Sequence, residues 1–191
     1  MVLDKRERIV QASIEIFKEK GIEKTKISDI VKRAEIAQGT FYLYFPSKLS
    51  VMPAVAEQIV FKFMERIEAS VSREASLEVH LKQLVDAIFH VTNEFRDVSA
   101  IVYAGISTTE HISKWESIYT PLYEQVASIL EEIQNRKLIR DTIDPVRSSQ
   151  LLLGLIESAA EQVFLFNEYE AVNEAKQKAE LLTFLEHALR P

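Results

Sequence analysis

The 191-residue sequence contains no cysteine. That absence alone excludes a disulfide scaffold, a thiolate metal site and a cysteine nucleophile. Glycine and proline are also scarce, at four and five residues. Strand-rich folds need many tight turns, so this scarcity predicts long helices. No apolar run is long enough to span a bilayer, since the longest candidate, residues 151–166, is broken by Glu157, Glu161 and Gln162. The opening M-V-L-D-K-R-E-R runs straight into charge and has no apolar h-region. The expectation is therefore a cytoplasmic protein with no membrane partner. There is no G-x-S-x-G, no phosphate-cradling glycine loop and no nucleotide fingerprint. His90 and Glu94 stand four apart and could share a metal, but no third ligand has useful spacing. The pairs Glu131-Glu132 and Glu157/Glu161 read as charge on helix faces. No catalytic residue, metal or cofactor is expected, and an enzyme is not the first reading.

What is present is ordinary for a folded chain: 47% hydrophobic and 27% charged residues. The charge is unevenly spread. Residues 1–50 hold 10 Lys and Arg against 7 Asp and Glu, a net +3, while the remainder carries −9, for a total of −6. A mildly basic head on an acidic body suggests two jobs.

Helical spacing organises the chain. Ile9, Ala12, Ile16 and Phe17 mark a first helix over 5–20, with Gly21 as its stop. Thr25 is placed to cap a second helix over 26–34, whose buried stripe is Ile27, Ile30 and Val31. A short third helix follows over 38–45 and is stopped by Pro46. Ser47 then caps a long fourth helix with the stripe Val51, Val55, Ile59, Phe63 and Ile67. Further helices are expected over 76–96, 98–107, 110–138 (one or two), 145–167 after the Asp144-Pro145 cap, and 170–190.

The third helix lies in E-I-A-Q-G-T-F-Y-L-Y-F-P-S-K, residues 35–48. At 100° per residue Phe41 and Phe45 point one way, Gly39, Thr40 and Leu43 point the other, and Tyr42 and Tyr44 flank them. The phenylalanines would anchor the helix. The opposite face is small, polar and nearly uncharged, as a helix entering the major groove requires. Gly39 allows close approach, Thr40 offers a donor and acceptor, and Leu43 can meet a thymine methyl. The tyrosine hydroxyls and Lys48 can reach phosphates. With the preceding helix and its three-residue turn, the dimensions match a helix-turn-helix. On periodicity alone, an aromatic helical hairpin in a core remains the alternative.

The segments R-I-V-Q-A-S-I-E-I-F-K-E-K-G, T-K-I-S-D-I-V-K-R-A and Q-G-T-F-Y-L-Y-F-P-S-K resemble the N-terminal domain of the tetracycline-repressor (TetR) family, ungapped over residues 6–48. The resemblance implies a dimeric transcriptional regulator, usually a repressor, released from its operator by a small molecule. It implies that Gln38, Gly39, Thr40, Tyr42 and Tyr44 lie on the recognition helix. Lys26 and Ser28 would sit close to DNA, and Lys48 would contact a phosphate. Two positions depart from the family's habit: where Gly and a Ser cap are common in the turn, this chain has Glu35 and Ala37. The missing cap would cost about 1 kcal/mol, and Glu35 would have to adopt an unfavourable backbone. Gln38 stands where Lys is common.

The expected architecture is all-α: a three-helix helix-turn-helix domain, 1–48, joined through the long fourth helix to a larger ligand-binding and dimerisation bundle, 49–191. The helix over 145–167 is apolar nearly all round, so its own domain could cover one side and a partner chain the other. Leu152, Gly154, Ile156 and Ala159, with Leu181, Leu182, Leu185 and Leu189 of the last helix, are the expected interface of a symmetric homodimer. A buried central helix in a monomer is the alternative. Phe89, Tyr103, Trp115, Tyr119 and Tyr123 (with Phe95) supply aromatic surface for an apolar or aromatic inducer, although such residues are usually core. The partners expected are a double-stranded DNA operator, that inducer and a second copy of the chain. Inducer binding is expected to pivot the fourth helix. An all-helical interaction protein without DNA binding, or a helical-bundle enzyme, stays as the alternative reading.

Overall fold

The computed structural model describes residues 4–72, 74–98, 112–165 and 173–191, with only the backbone described for 112–115. Among the described residues every regular element is helical. These are α1 (Lys5–Lys24), α2 (Ile27–Arg33), α3 (Gln38–Tyr44), a single 3-10 turn (Leu49–Val51), α4 (Met52–Ser70), α5 (Leu77–Glu94), α6 (Ile112–Asn135), α7 (Pro145–Phe164) and α8 (Glu174–Leu189). Two compact units result, one drawn from Met1–Ile59 and Asp97–Ile118, the other from Val60–Arg96 and Tyr119–Pro191. The helix expected over 98–107 falls largely outside the described residues.

In the first unit, Asp4 and Glu7 form a reciprocal capping box on α1, with Glu7 N–H to Asp4 Oδ1 at 2.8 Å and Asp4 N–H to Glu7 Oε2 at 3.0 Å. One face of α1 is buried through Ile9, Val10, Ile14 and Phe17. Gly21 interrupts the helix where a stop is expected, with non-helical backbone. It kinks it, at φ +75°, and one more turn follows. Thr25 is not the cap of α2. Its buried hydroxyl donates back to the Gly21 carbonyl at 2.7 Å, and the carboxylate of Asp29 instead accepts the Lys26 N–H at 2.8 Å. Ser47 and Ser50 satisfy each other's backbone N–H ahead of α4. The stripe Val51, Val55, Ile59, Phe63 and Ile67 is buried along its whole length.

In the second unit, side chains of Ser76, Asp144 and Asn173 accept from the first turns of α5, α7 and α8. α6 is one helix that runs through Pro121. The core is made by Val85, Ile88, Leu122, Val126, Leu130, Leu153 and Ile156, all at 2% exposure or less. Lys178 ties α8 to α5: its ammonium lies 3.0 Å from Asp86, 2.8 Å from Glu174 and 4.9 Å from the Phe89 ring centroid.

Candidate nucleic-acid interface

α3 is held by its phenylalanines. Phe41 is fully buried and Phe45 is 5% exposed. Burial of each ring contributes roughly 1.5–3 kcal/mol. The Arg6 guanidinium lies 5.8 Å from the Phe45 centroid and pairs with Glu57 at 3.3 Å, so α1 and α4 close over the anchor. The other side of α3 is open. Leu43 is 83% exposed, Tyr42 49% and Tyr44 44%. Gln38 and Gly39 are exposed and Thr40 is half-buried. A Cβ placed on Gly39 would meet nothing within 4 Å. The chain's own packing therefore does not demand glycine there.

Lys26 and Ser28, at the start of α2, are exposed. Lys48 is not extended toward solvent. Its ammonium donates to the carbonyls of Ile22, at 2.5 Å, and Thr25, at 2.8 Å. Two of its three donors thus clamp the start of the α4 segment to the end of α1.

Sequence reasoning did not single out the residues that stitch this head together. Arg33 of α2 reaches Glu15 at 2.7 Å and Glu19 at 2.6 Å on α1, and Lys20 reaches Asp29 at 2.7 Å. The Arg33 hydrogen bond holds the Glu15 carboxyl below its usual pKa. Lys20, with the Lys26 backbone N–H, does the same for Asp29. In the turn before α3, Glu35 stands at φ +52° and Ala37 offers α3 no side-chain cap. Both were legible as departures from the family's habit.

An exposed, weakly charged helix face set by two buried rings, after a short helix and a turn over residues 34–37, is a helix-turn-helix head. Residues 9–55 match the family of bacterial regulatory proteins described as the tetR family, and residues 81–189 match the tetracyclin repressor-like C-terminal domain. The chain belongs to the TetR family. It is a helix-turn-helix, DNA-binding regulator of transcription with a ligand-binding domain. An uncharacterized HTH-type transcriptional regulator, YvdT, of Bacillus subtilis strain 168 is 34% identical over 185 residues, covering 97% of this chain and 95% of the relative. Among solved structures, the fatty acid degradation regulator FadR of Bacillus halodurans superposes with a TM-score of 0.76 at 20% identity, over 100% of this chain and 98% of that one. FadR of Bacillus subtilis in complex with stearoyl-CoA gives 0.72 at 21% identity, over 93% and 96%. These two likenesses speak to the fold.

In the second unit of this TetR-family chain, Phe89 is buried against the Phe164 edge, centroids 6.0 Å apart, and beneath Lys178. Tyr119 is buried and Tyr123 half-buried, with centroids 5.7 Å apart. Tyr103 and the Trp115 side chain lie outside the described residues. Glu157 is not a face charge. The Tyr119 hydroxyl donates to its carboxylate, while its Oε1 is sealed from solvent and accepts no hydrogen bond from the described residues. Burial, reinforced by Glu161 and opposed by Tyr119, pushes its pKa up to about 8.

The expected dimer residues differ in burial. Leu152, Ile156, Ala159, Leu181, Leu185 and Leu189 are buried by the chain's own packing. A side chain already removed from water cannot offer that area to a partner. Leu182 is half-buried and Gly154 exposed. The large apolar side chains left open on α7 and α8 are Val146 at 58% exposure, Leu151 at 75%, Leu155 at 38% and Phe184 at 61%. Two grooves of about 220 Å³ each meet at Leu155 and Phe184.

Proposed function

We propose that the chain is a homodimeric repressor that binds a palindromic operator and leaves it when a small apolar or aromatic inducer enters the helical domain. The observation that carries the reading is α3, anchored by Phe41 and Phe45 with Leu43 bare on the opposite side. In this reading residues 1–48 meet DNA. Gln38, Gly39, Thr40 and Leu43 read base edges, while Lys26, Ser28, Tyr42, Tyr44 and the remaining donor of Lys48 position the head on phosphates. One seven-residue helix offers little affinity; two linked heads multiply it, with half-sites a whole number of helical turns apart.

Residues 49–191 hold the inducer and the second copy. The pairing surface is centred on Leu151, Leu155 and Phe184, with Gly154 and Ser158 permitting close helix approach. The inducer meets the aromatic group Phe89, Tyr103, Trp115, Tyr119 and Tyr123. α4, which carries residues of both units, shifts on binding and changes the separation of the heads.

A long-chain acyl thioester is the second reading of the inducer, favoured by the likeness to FadR, whose Bacillus subtilis structure holds stearoyl-CoA. The test is selection of bound duplexes from a random library, repeated with stearoyl-CoA and with aromatic compounds present. A palindromic consensus released by one ligand class supports the proposal. Failure to enrich any sequence contradicts it.

A further inference from the structure

The turn between α2 and α3 closes by backbone bonds around a residue of the wrong type. Ala34 N–H reaches the Ile30 carbonyl at 2.8 Å, Glu35 N–H that of Lys32 at 3.3 Å, and Ile36 N–H that of Val31 at 3.0 Å. The last of these is the long-range bond of a Schellman ending, and Glu35 occupies the position where a left-handed backbone is required, at φ +52°. Glycine fills such positions because a Cβ there crowds the following carbonyl. Downstream, no side chain caps α3. Neither residue type in the turn therefore holds the angle at which α3 leaves it.

A side chain from α1 does. The Arg8 guanidinium donates through Nη2 to the Ala34 carbonyl and, at 3.1 Å, to the Glu35 carbonyl. It lies 3.7 Å from the Glu35 carboxylate. These carbonyls lie at the negative end of α2, where a cation is favoured. They belong to the two residues at which the chain reverses. Arg8 itself stands on the capped first turns of α1.

We propose that Arg8 is the positioning residue of the recognition helix: it holds the Glu35 turn in its left-handed form and thereby fixes the direction of α3. This rests on the DNA-reading assignment above. Sequence discrimination, more than general attraction to DNA, should depend on it, because phosphate contacts tolerate a small tilt that base-edge contacts do not.

The experiment compares Arg8→Ala, Glu35→Gly and the double variant. Each is titrated with the duplex that the wild type selects from a random library, and with a scrambled duplex of equal length. Arg8→Ala should lose tenfold or more on the selected duplex and less than twofold on the scrambled one. Glu35→Gly, which no longer needs the clamp, should bind like the wild type and restore the double variant to within about threefold. Amide exchange supplies a readout that needs no DNA. The Ile36 N–H should exchange at least tenfold faster in Arg8→Ala while the amides of Ile14 and Phe17 hold their rates. Unchanged Ile36 exchange overturns the proposal, as does parallel loss on both duplexes without rescue by Glu35→Gly. If the wild type selects no duplex, the DNA reading fails and the exchange data alone decide the clamp.

Discussion

Phe41 and Leu43 are two residues apart on one short helix, yet Phe41 has no exposed surface and Leu43 has 83% of its own in solvent. A helix turns about 200° over that interval, so the pair defines an inside and an outside. The proposed DNA-reading face depends on that opposition, with Phe45 extending the inside and Gly39 and Thr40 the outside.

Truncating the two residues should separate stability from binding. Phe41→Ala is expected to cost about 3–5 kcal/mol, and Leu43→Ala less than about 0.5 kcal/mol. Chemical denaturation checks both. Leu43→Ala should nevertheless weaken binding to the selected duplex, by about 1 kcal/mol or more.

Lys48 is expected to do two things. Lys48→Ala removes both donors to the Ile22 and Thr25 carbonyls and should lower stability by about 1–2 kcal/mol. It should also reduce the salt dependence of DNA binding by about one counterion. An unchanged slope with lowered stability would leave Lys48 as a clamp only.

Glu157 gives the helical domain a pH signature. Its folded pKa, about 8, lies above the ordinary value of 4.5, so the folded state holds the proton more tightly than the unfolded chain does. The contribution to stability is present in full below about pH 4.5 and is lost as pH rises through 8. Glu157→Gln should therefore be more stable than the wild type at pH 8, with the difference shrinking toward pH 5. Thermal melts across that range measure it; a constant difference would contradict a raised pKa.

The register of α7 can be tested by charge. Leu151→Glu or Phe184→Glu should raise the monomer fraction in sedimentation without loss of helicity. Leu152→Glu should instead unfold the domain, because that side chain is 5% exposed within one chain. A wild type that is monomeric at micromolar concentration removes the pairing surface.

Much of this was readable in advance, for physical reasons that differ by residue. Periodicity located the helices and oriented α3, because Phe41 and Phe45 are its only large apolar pair four apart with small residues opposite. The awkward Glu35 backbone was visible as a missing glycine. Thr25 misled because Asp29, three residues after the Lys26 amide, took the capping role. The clamp made by Lys48 was not readable, because its acceptors lie 26 and 23 residues back in sequence, where no local pattern reports them. α7 is apolar at 151, 152, 153, 155 and 156, so its pattern could not say which leucines face the core. Glu157 and Glu161 look alike in sequence; burial inside the domain, which no local pattern reports, is what raises the pKa of Glu157.

The central claim is that the outward side of α3 meets base edges. The most direct measurement is the affinity of the wild type, Thr40→Ala and Leu43→Ala for the selected duplex and every single-base variant of it. Each substitution should change discrimination at one or two positions per half-site and leave the others as they were. Equal weakening across all variants, with the wild-type preference intact at every position, would contradict it.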